Sequence, residues 1–311
     1  MSQLTVSPAL SSPVETVCTN FGRWARAVRL LPILLVALLS VDLGARAGAQ
    51  DAAPSAEALF ARSLHAIGAI NTYQGEFVML ERIGSKLEVS KVSFKFARPF
   101  KVYMKYIEPH EGQEVLFVRG QNDNKLKAHK GSFPDITVNL SPYGRAAMKG
   151  SHQPIQTFGL QRQIEIMGEV YRKAKARGDA SYTVKDGGLF MGERVWEVEA
   201  RFPSTGRTVT VRKDENLWTF AKRVGQPMYV ILHYNDIGSP RSIDEGDAIF
   251  VPDHYGSRLR YLIARKSLMP LQETSWDHKG RIYESYEYRV LELNANLTDK
   301  DFDPDNEAYD F

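Results

Sequence analysis

From Thr72 onward the apolar residues of this chain recur at every second position, and that period constrains the fold more than any other feature of the sequence. In "KVSFKFARP", Val92, Phe94 and Phe96 alternate with Lys91, Ser93 and Lys95 until Pro99 ends the run. Successive side chains of a strand point to opposite faces, so the pattern predicts strands with one buried and one wet face, the habit of antiparallel sheets. "TYQGEFVMLERI" places Tyr73, Phe77 and Met79 on one face and Val78 and Leu80 on the other. "KVYMKYI", "EVLFVRG", "LKAHKG" and "ITVNLS" extend the meander, with a turn over residues 120–124.

Two segments with a helical period break the alternation. "SAEALFARSLHAIGAI" carries Leu59, Phe60, Leu64 and Ile67 on one stripe behind Ser55 as N-cap. Residues 160–178 carry Ile164, Met167 and Tyr171, with Gly178 as C-cap. Strands then resume. "SYTVKDGGLFMGERVWEVEARF" is expected to turn at Asp186-Gly187-Gly188, and "SLMPLQETSWDHKGRIYESYEY" at Lys279-Gly280. The order predicts an α+β fold, a curved antiparallel half-barrel sheet with helices on its concave side.

Residues 209–252 depart from both patterns. Val209 and Val211 alternate, and Asn216 can cap a helix in which Leu217, Phe220, Ala221 and Val224 recur at i, i+3, i+4, i+7. Gly225 and Pro227 suit a helix end and a new helix start, Met228, Ile231 and Leu232 form a second stripe, and Ile249 and Val251 close with a strand. The result is a βααβ unit with a core of its own. Its first and last strands lie side by side, so it can replace a hairpin loop without disturbing a host sheet. The expected division is 50–206 and 255–311 for the host and 207–254 for the insertion.

The N-terminus reads as a secretory signal peptide over residues 1–49. Arg23, Arg26 and Arg29 precede the apolar run 30–41, and Ala47-Gly48-Ala49 fits a cleavage site. A run of about 12 residues is short of the about 20 that a spanning helix needs. Cleavage there removes four basic and two acidic residues, which lowers the formal charge from +3 to +1. It also removes Cys18, the only cysteine, so the mature chain would carry no disulfide and no thiol chemistry. The expected location is the periplasm or cell envelope, in soluble form. No basic block marks a nucleic-acid footprint.

"FKFARPFKVYMKY" and the late hairpin "GRIYESYEY" resemble strand pairs of the LolA-like fold of periplasmic lipoprotein carriers and outer-membrane lipoprotein-sorting proteins. "YIEPHEGQEVLFVRGQNDNKLKAHKG" and "LNANLTDKDFDPDNEAYDF" are similar to an uncharacterised LolA-related family of bacterial envelope proteins. The resemblance spans residues 56–205 and 256–311. The 209–252 unit resembles a lysin motif (LysM), the module that binds N-acetylglucosamine-containing glycans such as peptidoglycan. That family holds sugar in a shallow groove between two loops. Carried onto this sequence, the groove would be formed by Asp214, Glu215, Asn216 and Leu217 on one side and by Asn235, Asp236 and Ile237 on the other. The family usually reads Gly-Asp-Thr/Ser where this chain has Asp214-Glu215-Asn216. Glycine there accepts a positive φ, whereas aspartate brings a side chain and a charge.

No Gly-x-Ser-x-Gly, His-Glu-x-x-His, P-loop or Gly-x-Gly-x-x-Gly occurs, and the seven histidines lack ligand spacing. No catalytic residue, cofactor or metal ligand is therefore expected, and His233 is read as a helix surface residue. The acidic tail does not complete a calcium loop and is read as a solvated terminus pinned by Phe302, Tyr309 and Phe311. The aromatic strand faces supply a second candidate site, an apolar lipid cavity from Tyr73, Phe77, Phe94, Phe96, Tyr103, Met104, Tyr106, Phe117, Trp196 and Tyr286. For most of these residues an ordinary sheet-on-helix core is the expected role. The expectation is a non-enzymatic envelope protein that binds a lipid, lipoprotein or glycolipid in its concavity while the LysM docks on peptidoglycan. A solid-core peptidoglycan adaptor and a cell-wall glycan-processing enzyme are the other classes.

Overall fold

The computed structural model describes residues 52–311 except 145 and 239–241. The expected signal peptide, its cleavage site and Cys18 lie outside the described residues. Among the described residues no helix is long and apolar enough to cross a membrane.

Helix α1 (Ala56–Gly68) opens the chain, and Ser55 caps it by accepting a hydrogen bond from Ala58 N at 3.2 Å. The meander follows as β1 (Thr72–Ile83), β2 (Lys86–Ala97), β3 (Lys101–Glu108), β4 (Glu114–Val118), β5 (Leu126–His129) and β6 (Thr137–Leu140). A connection over residues 141–159 leads to α2 (Leu160–Arg177), which ends at Gly178 in the left-handed conformation. Then come β7 (Ser181–Phe190), β8 (Glu193–Arg201), β9 (Gly206–Thr210), α3 (Leu217–Val224), α4 (Met228–Tyr234), β10 (Ala248–Pro252), β11 (Arg258–Ala264), β12 (Pro270–Trp276) and β13 (Ile282–Leu293).

Eleven of these strands form one open antiparallel sheet in the order β6-β5-β4-β3-β2-β1-β13-β12-β11-β8-β7. The sequence therefore reads as two meanders joined where β1 pairs with β13. Strands β9 and β10 form a separate two-stranded sheet, Gly206 opposite Pro252 and Thr210 opposite Ala248. Its flanking strands β8 and β11 pair with each other, Arg201 opposite Arg258. The βααβ unit thus leaves and re-enters the large sheet at neighbouring points.

Helices α1 and α2 cover one face of the sheet. Leu59, Phe60 and Ile67 from α1 and Leu160, Ile164 and Met167 from α2 share one core with Phe77, Phe94, Val102 and Tyr261 of the strands. Leu64, expected on the α1 stripe, is instead 40% exposed. Gly159 opens α2 at φ +111, where any Cβ would sit 2.6 Å from the Tyr73 hydroxyl. That hydroxyl accepts from Leu160 N at 3.1 Å and so ties the helix start to β1.

The opposite face carries the outward lysines of β2 and β3, and the acidic tail lies on them. Lys95 pairs with Asp301 at 2.7 Å and Lys101 with Asp299 at 2.5 Å. Phe302, Tyr309 and Phe311 pack with Tyr103 and Leu116, and Tyr103 stacks on Tyr309 at 4.0 Å. Tyr103 therefore belongs to the outer face and not to the inner aromatic set.

One expected turn is misplaced. Gly187-Gly188 is not the β7–β8 turn but a bulge inside β7, which interrupts the register between Asp186 and Leu189. Gly188 takes φ +71 and donates its N–H to Asp186 Oδ1 at 2.8 Å. The turn itself falls at Met191-Gly192, both at positive φ.

Candidate cavity and glycan-binding module

The inner face of the sheet is not filled throughout. A cavity of about 1180 Å³ lies between the sheet, α2 and the 141–159 connection. Of the aromatic and methionine residues expected to line it, Phe77, Met104, Tyr106 and Tyr286 do so. Tyr73, Phe94, Phe96, Phe117 and Trp196 do not, because the core packs over them. Tyr73 stacks on Phe96 at 4.6 Å, Phe100 meets Phe96 and Phe117 edge-on, and the Arg265 guanidinium covers Trp196 at 3.7 Å. The wall is completed by Met79, on the face the alternation gave to Phe77, and by residues the alternation did not single out, among them Val115, Leu126, Ala128, Ile155 and Phe158.

The cavity wall is not uniformly apolar. Glu81, Glu273 and Glu284 reach it. Glu81 shares the inward parity of Phe77 and Met79 on β1, and Glu284 that of Tyr286 and Tyr288 on β13. The two strands place Glu81 directly opposite Glu284. His152, from the 141–159 connection, lies against both. Its backbone N–H donates to Glu81 Oε1 at 2.8 Å, and its Nδ1 is 3.1 Å from Glu284 Oε2. The Tyr286 hydroxyl lies 2.6 Å from Glu81 Oε1 and 3.1 Å from Glu284 Oε2.

Burial drives the Glu81 carboxyl above the usual carboxylate range, and the neighbouring His152 charge opposes it in part. Burial also opposes the charge on His152, but the Glu284 carboxylate beside Nδ1, the Glu81 charge and the Arg82 carbonyl together outweigh it and hold the imidazole above its ordinary value. Glu273 is pushed up to about 8 by burial, with the Glu284 charge adding to it. Sequence spacing could not have grouped residues 81, 152 and 284. The legible signal was a glutamate at an inward position on each of two strands.

The βααβ unit has a tight core of Val211, Leu217, Phe220, Ile231, Ile243, Ile249 and Val251. Asn216 caps α3 through a full capping box with Thr219. Asp214 takes φ +63, the left-handed conformation that glycine would adopt without strain. Of the residues expected at the glycan groove, Asp214, Asn216 and Asp236 are exposed. Leu217 is fully buried and Ile237 packs against the same core, so both support the loops from beneath. Glu215 is gripped by Arg223, at 2.7 Å to Nη2, and also accepts from Arg212 N; the Arg223 bond holds its carboxyl down at about 2. Asn235 is committed to structure. Its amide donates to Ile231 O and Phe250 O and accepts from Phe250 N, each at 2.8 Å, and so locks α4 to β10. Five of the seven positions, Asn216 with its cap among them, are therefore spoken for by the fold.

The unit is also docked on the sheet, which its self-sufficient core did not foretell. His233 is not a helix surface residue: its side chain is only 7% exposed, and its Nε2 lies 2.9 Å from Asp277 Oδ2. Arg281 Nε donates to the same oxygen at 2.9 Å. His233 packs on Tyr283 at 4.8 Å and Tyr234 on His278 at 4.3 Å. Tyr229 donates to the backbone carbonyl of Met148. Met148 belongs to the connection that walls the cavity, so the unit rests partly on that wall.

A LysM domain model matches residues 209–252. Among solved structures, a DUF1329 family protein from Desulfovibrio piger matches at 12% identity over 79% of this chain and 95% of that chain, with a TM-score of 0.35. A chain of the Pseudomonas aeruginosa MucA/MucB complex matches at 10% identity over 79% of this chain and 60% of that chain, TM-score 0.39. A LolA superfamily protein from Nitrosomonas europaea matches at 10% identity over 81% and 98%, TM-score 0.32. At these scores the likeness carries no argument about ligand or partner. No curated protein matches the chain. The family model described as "Protein of unknown function (DUF1571)" matches residues 70–229 and 251–311, and the chain belongs to that family.

Proposed function

We propose that this is an exported, non-catalytic envelope protein that holds the apolar chain of a lipid, lipoprotein or glycolipid in its cavity while its LysM domain docks on the N-acetylglucosamine-containing glycan of peptidoglycan. The observation that carries the reading is the cavity. Its volume of about 1180 Å³ exceeds that of ordinary small-molecule sites, about 300–1,000 Å³. Aromatic, methionine and aliphatic side chains make most of its wall. Each methylene buried there contributes about 0.8 kcal/mol, so one acyl chain binds tightly. A solid-core adaptor needs no such space.

The LysM domain supports the glycan half of the reading. A single module without tandem copies gains no avidity, so binding in the micromolar to millimolar range, about −8 to −4 kcal/mol, is expected. The exposed groove residues are Asp214, Asn216 and Asp236. Asn235 is unsuitable as a probe because it ties α4 to β10.

Two measurements test the halves separately. Mass spectrometry of the purified protein should find a stoichiometric amphiphile; a protein free of lipid that takes none up would leave the solid-core adaptor. Sedimentation with purified peptidoglycan should carry the wild type down, and Asp214→Ala with Asp236→Ala should reduce the bound fraction. An unchanged fraction would remove the groove assignment and leave the cavity reading standing.

A further inference from the structure

We propose that Glu81, His152 and Glu284 form a binding site for a divalent transition ion, zinc foremost, on the wall of the cavity. Each offers one ligand atom, and the three atoms lie within 4.8 Å of one another. All three side chains are buried, with relative exposures of 4%, 7% and 1%. Its members come from three distant segments, which no spacing rule groups.

The cross-strand geometry makes the case. Glu81 and Glu284 are Cα partners on β1 and β13, both turned inward. Like charges set directly opposite one another weaken a strand pair, and buried charge is costly unless compensated. With both carboxyls ionised, the imidazolium of His152 offsets only one of them. A divalent ion with neutral His152 offsets both, which leaves the buried cluster without net charge.

The imidazole is already set as a ligand. His152 Nε2 lies 3.0 Å from the backbone carbonyl oxygen of Arg82. A carbonyl oxygen can only accept, so the Nε2 proton is fixed and Nδ1 is turned to the carboxylates. Donation of the second ring N–H to a backbone carbonyl or carboxylate is the usual outer support of a metal-bound histidine. Tyr283 stacks on the ring at 4.3 Å and 15° and fixes its plane. The buried Tyr283 hydroxyl itself has no hydrogen-bond partner among the described residues. The Tyr286 hydroxyl and the His152 backbone N–H hold the Glu81 carboxylate from behind.

The donor set selects the ion class. One imidazole nitrogen with two carboxylate oxygens suits zinc and its neighbours, whereas calcium and magnesium prefer all-oxygen shells. Both carboxylates also line the cavity, so the remaining coordination positions open onto it. The ion would pin the 141–159 connection to the sheet whether or not a lipid is present. The proposal therefore stands independently of the lipid reading.

Chelator-treated full-length protein should be titrated with zinc by calorimetry, with magnesium and calcium as control arms. One equivalent of zinc should bind, with no comparable uptake of magnesium or calcium. Glu81→Gln and Glu284→Gln preserve shape, and each should weaken binding by more than the about 10–100-fold that follows loss of an outer support. X-ray absorption of the zinc-loaded wild type needs no variant and should show one imidazole among oxygen ligands. Absence of zinc binding to the wild type, equal binding by both variants, or a shell with two or more imidazoles would overturn the assignment.

Discussion

The LysM unit and the inner face of the large sheet are built from the same kinds of residue, yet one is filled and the other is left open. In the LysM unit Leu217, Phe220, Ile231 and Val251 are fully buried around one centre. In the sheet, apolar residues of comparable size stop short of one another and leave about 1180 Å³ between them, with five glutamates on the wall. A chain able to pack 44 residues to completion has not failed to pack the other part. The difference points to a space kept for an occupant.

The contrast can be broken most forcefully by truncating side chains on either side of it. Phe220→Ala should cost about 3–5 kcal/mol, since it opens a void in a filled core. Met79→Ala, on the cavity wall, should cost about 1 kcal/mol, because a side chain that already borders empty space has fewer contacts to lose. Equilibrium unfolding of both variants in urea checks the ratio; equal costs would mean that the cavity is closed and packed in solution.

The docking of the LysM unit comes next in size. His233→Ala should cost about 2–3 kcal/mol, somewhat less than the about 3–5 usual for a broken buried pair, because Arg281 still holds Asp277. A cost near zero, read from the same unfolding curves, would show that the unit swings free of the sheet. Within the unit, Asn235→Ala should cost about 1–3 kcal/mol and Asp236→Asn, which keeps a residue suited to the φ of +51 there, less than about 0.5. The first removes the tie from α4 to β10, while the second touches only an exposed side chain. Reversal of that order would return Asn235 to the glycan groove.

The smallest effect expected is on pH. Burial lowers the His233 pKa against the pull of Asp277. A histidine whose folded pKa is depressed contributes stability above its unfolded value of about 6.5 and loses it as pH falls through the folded value. His152 has the opposite sign, so the test must be a difference. The stability advantage of wild type over His233→Gln should shrink between pH 7 and pH 5, and a widening advantage would contradict the assignment of the neutral form.

The alternation was enough to read most of the strands, because a period of two needs no knowledge of neighbours. Ser55, Asn216, Gly178 and Gly225 could be read as helix ends for the same reason, since caps are local. The Asp186-Gly187-Gly188 turn failed because a bulge and a turn demand the same residues, and only the register tells them apart. Inward parity also could not separate Phe94 from Phe77. Both point to the same side, but Phe94 lies in the packed core while Phe77 reaches the cavity wall. The Glu81–His152–Glu284 cluster and the His233–Asp277 contact join residues 44 or more positions apart in sequence, beyond any local pattern.

The central claim is that the cavity is a container. Ala128 sits on its wall on β5, facing the space that an acyl chain would fill. Delipidated wild type and Ala128→Trp should be titrated with a fluorescent fatty acid, with thermal unfolding as the control for folding. Saturable one-to-one uptake by wild type, and its loss in a variant of unchanged melting temperature, is the expected result. No saturable uptake by wild type, or equal uptake by the filled variant, would contradict it.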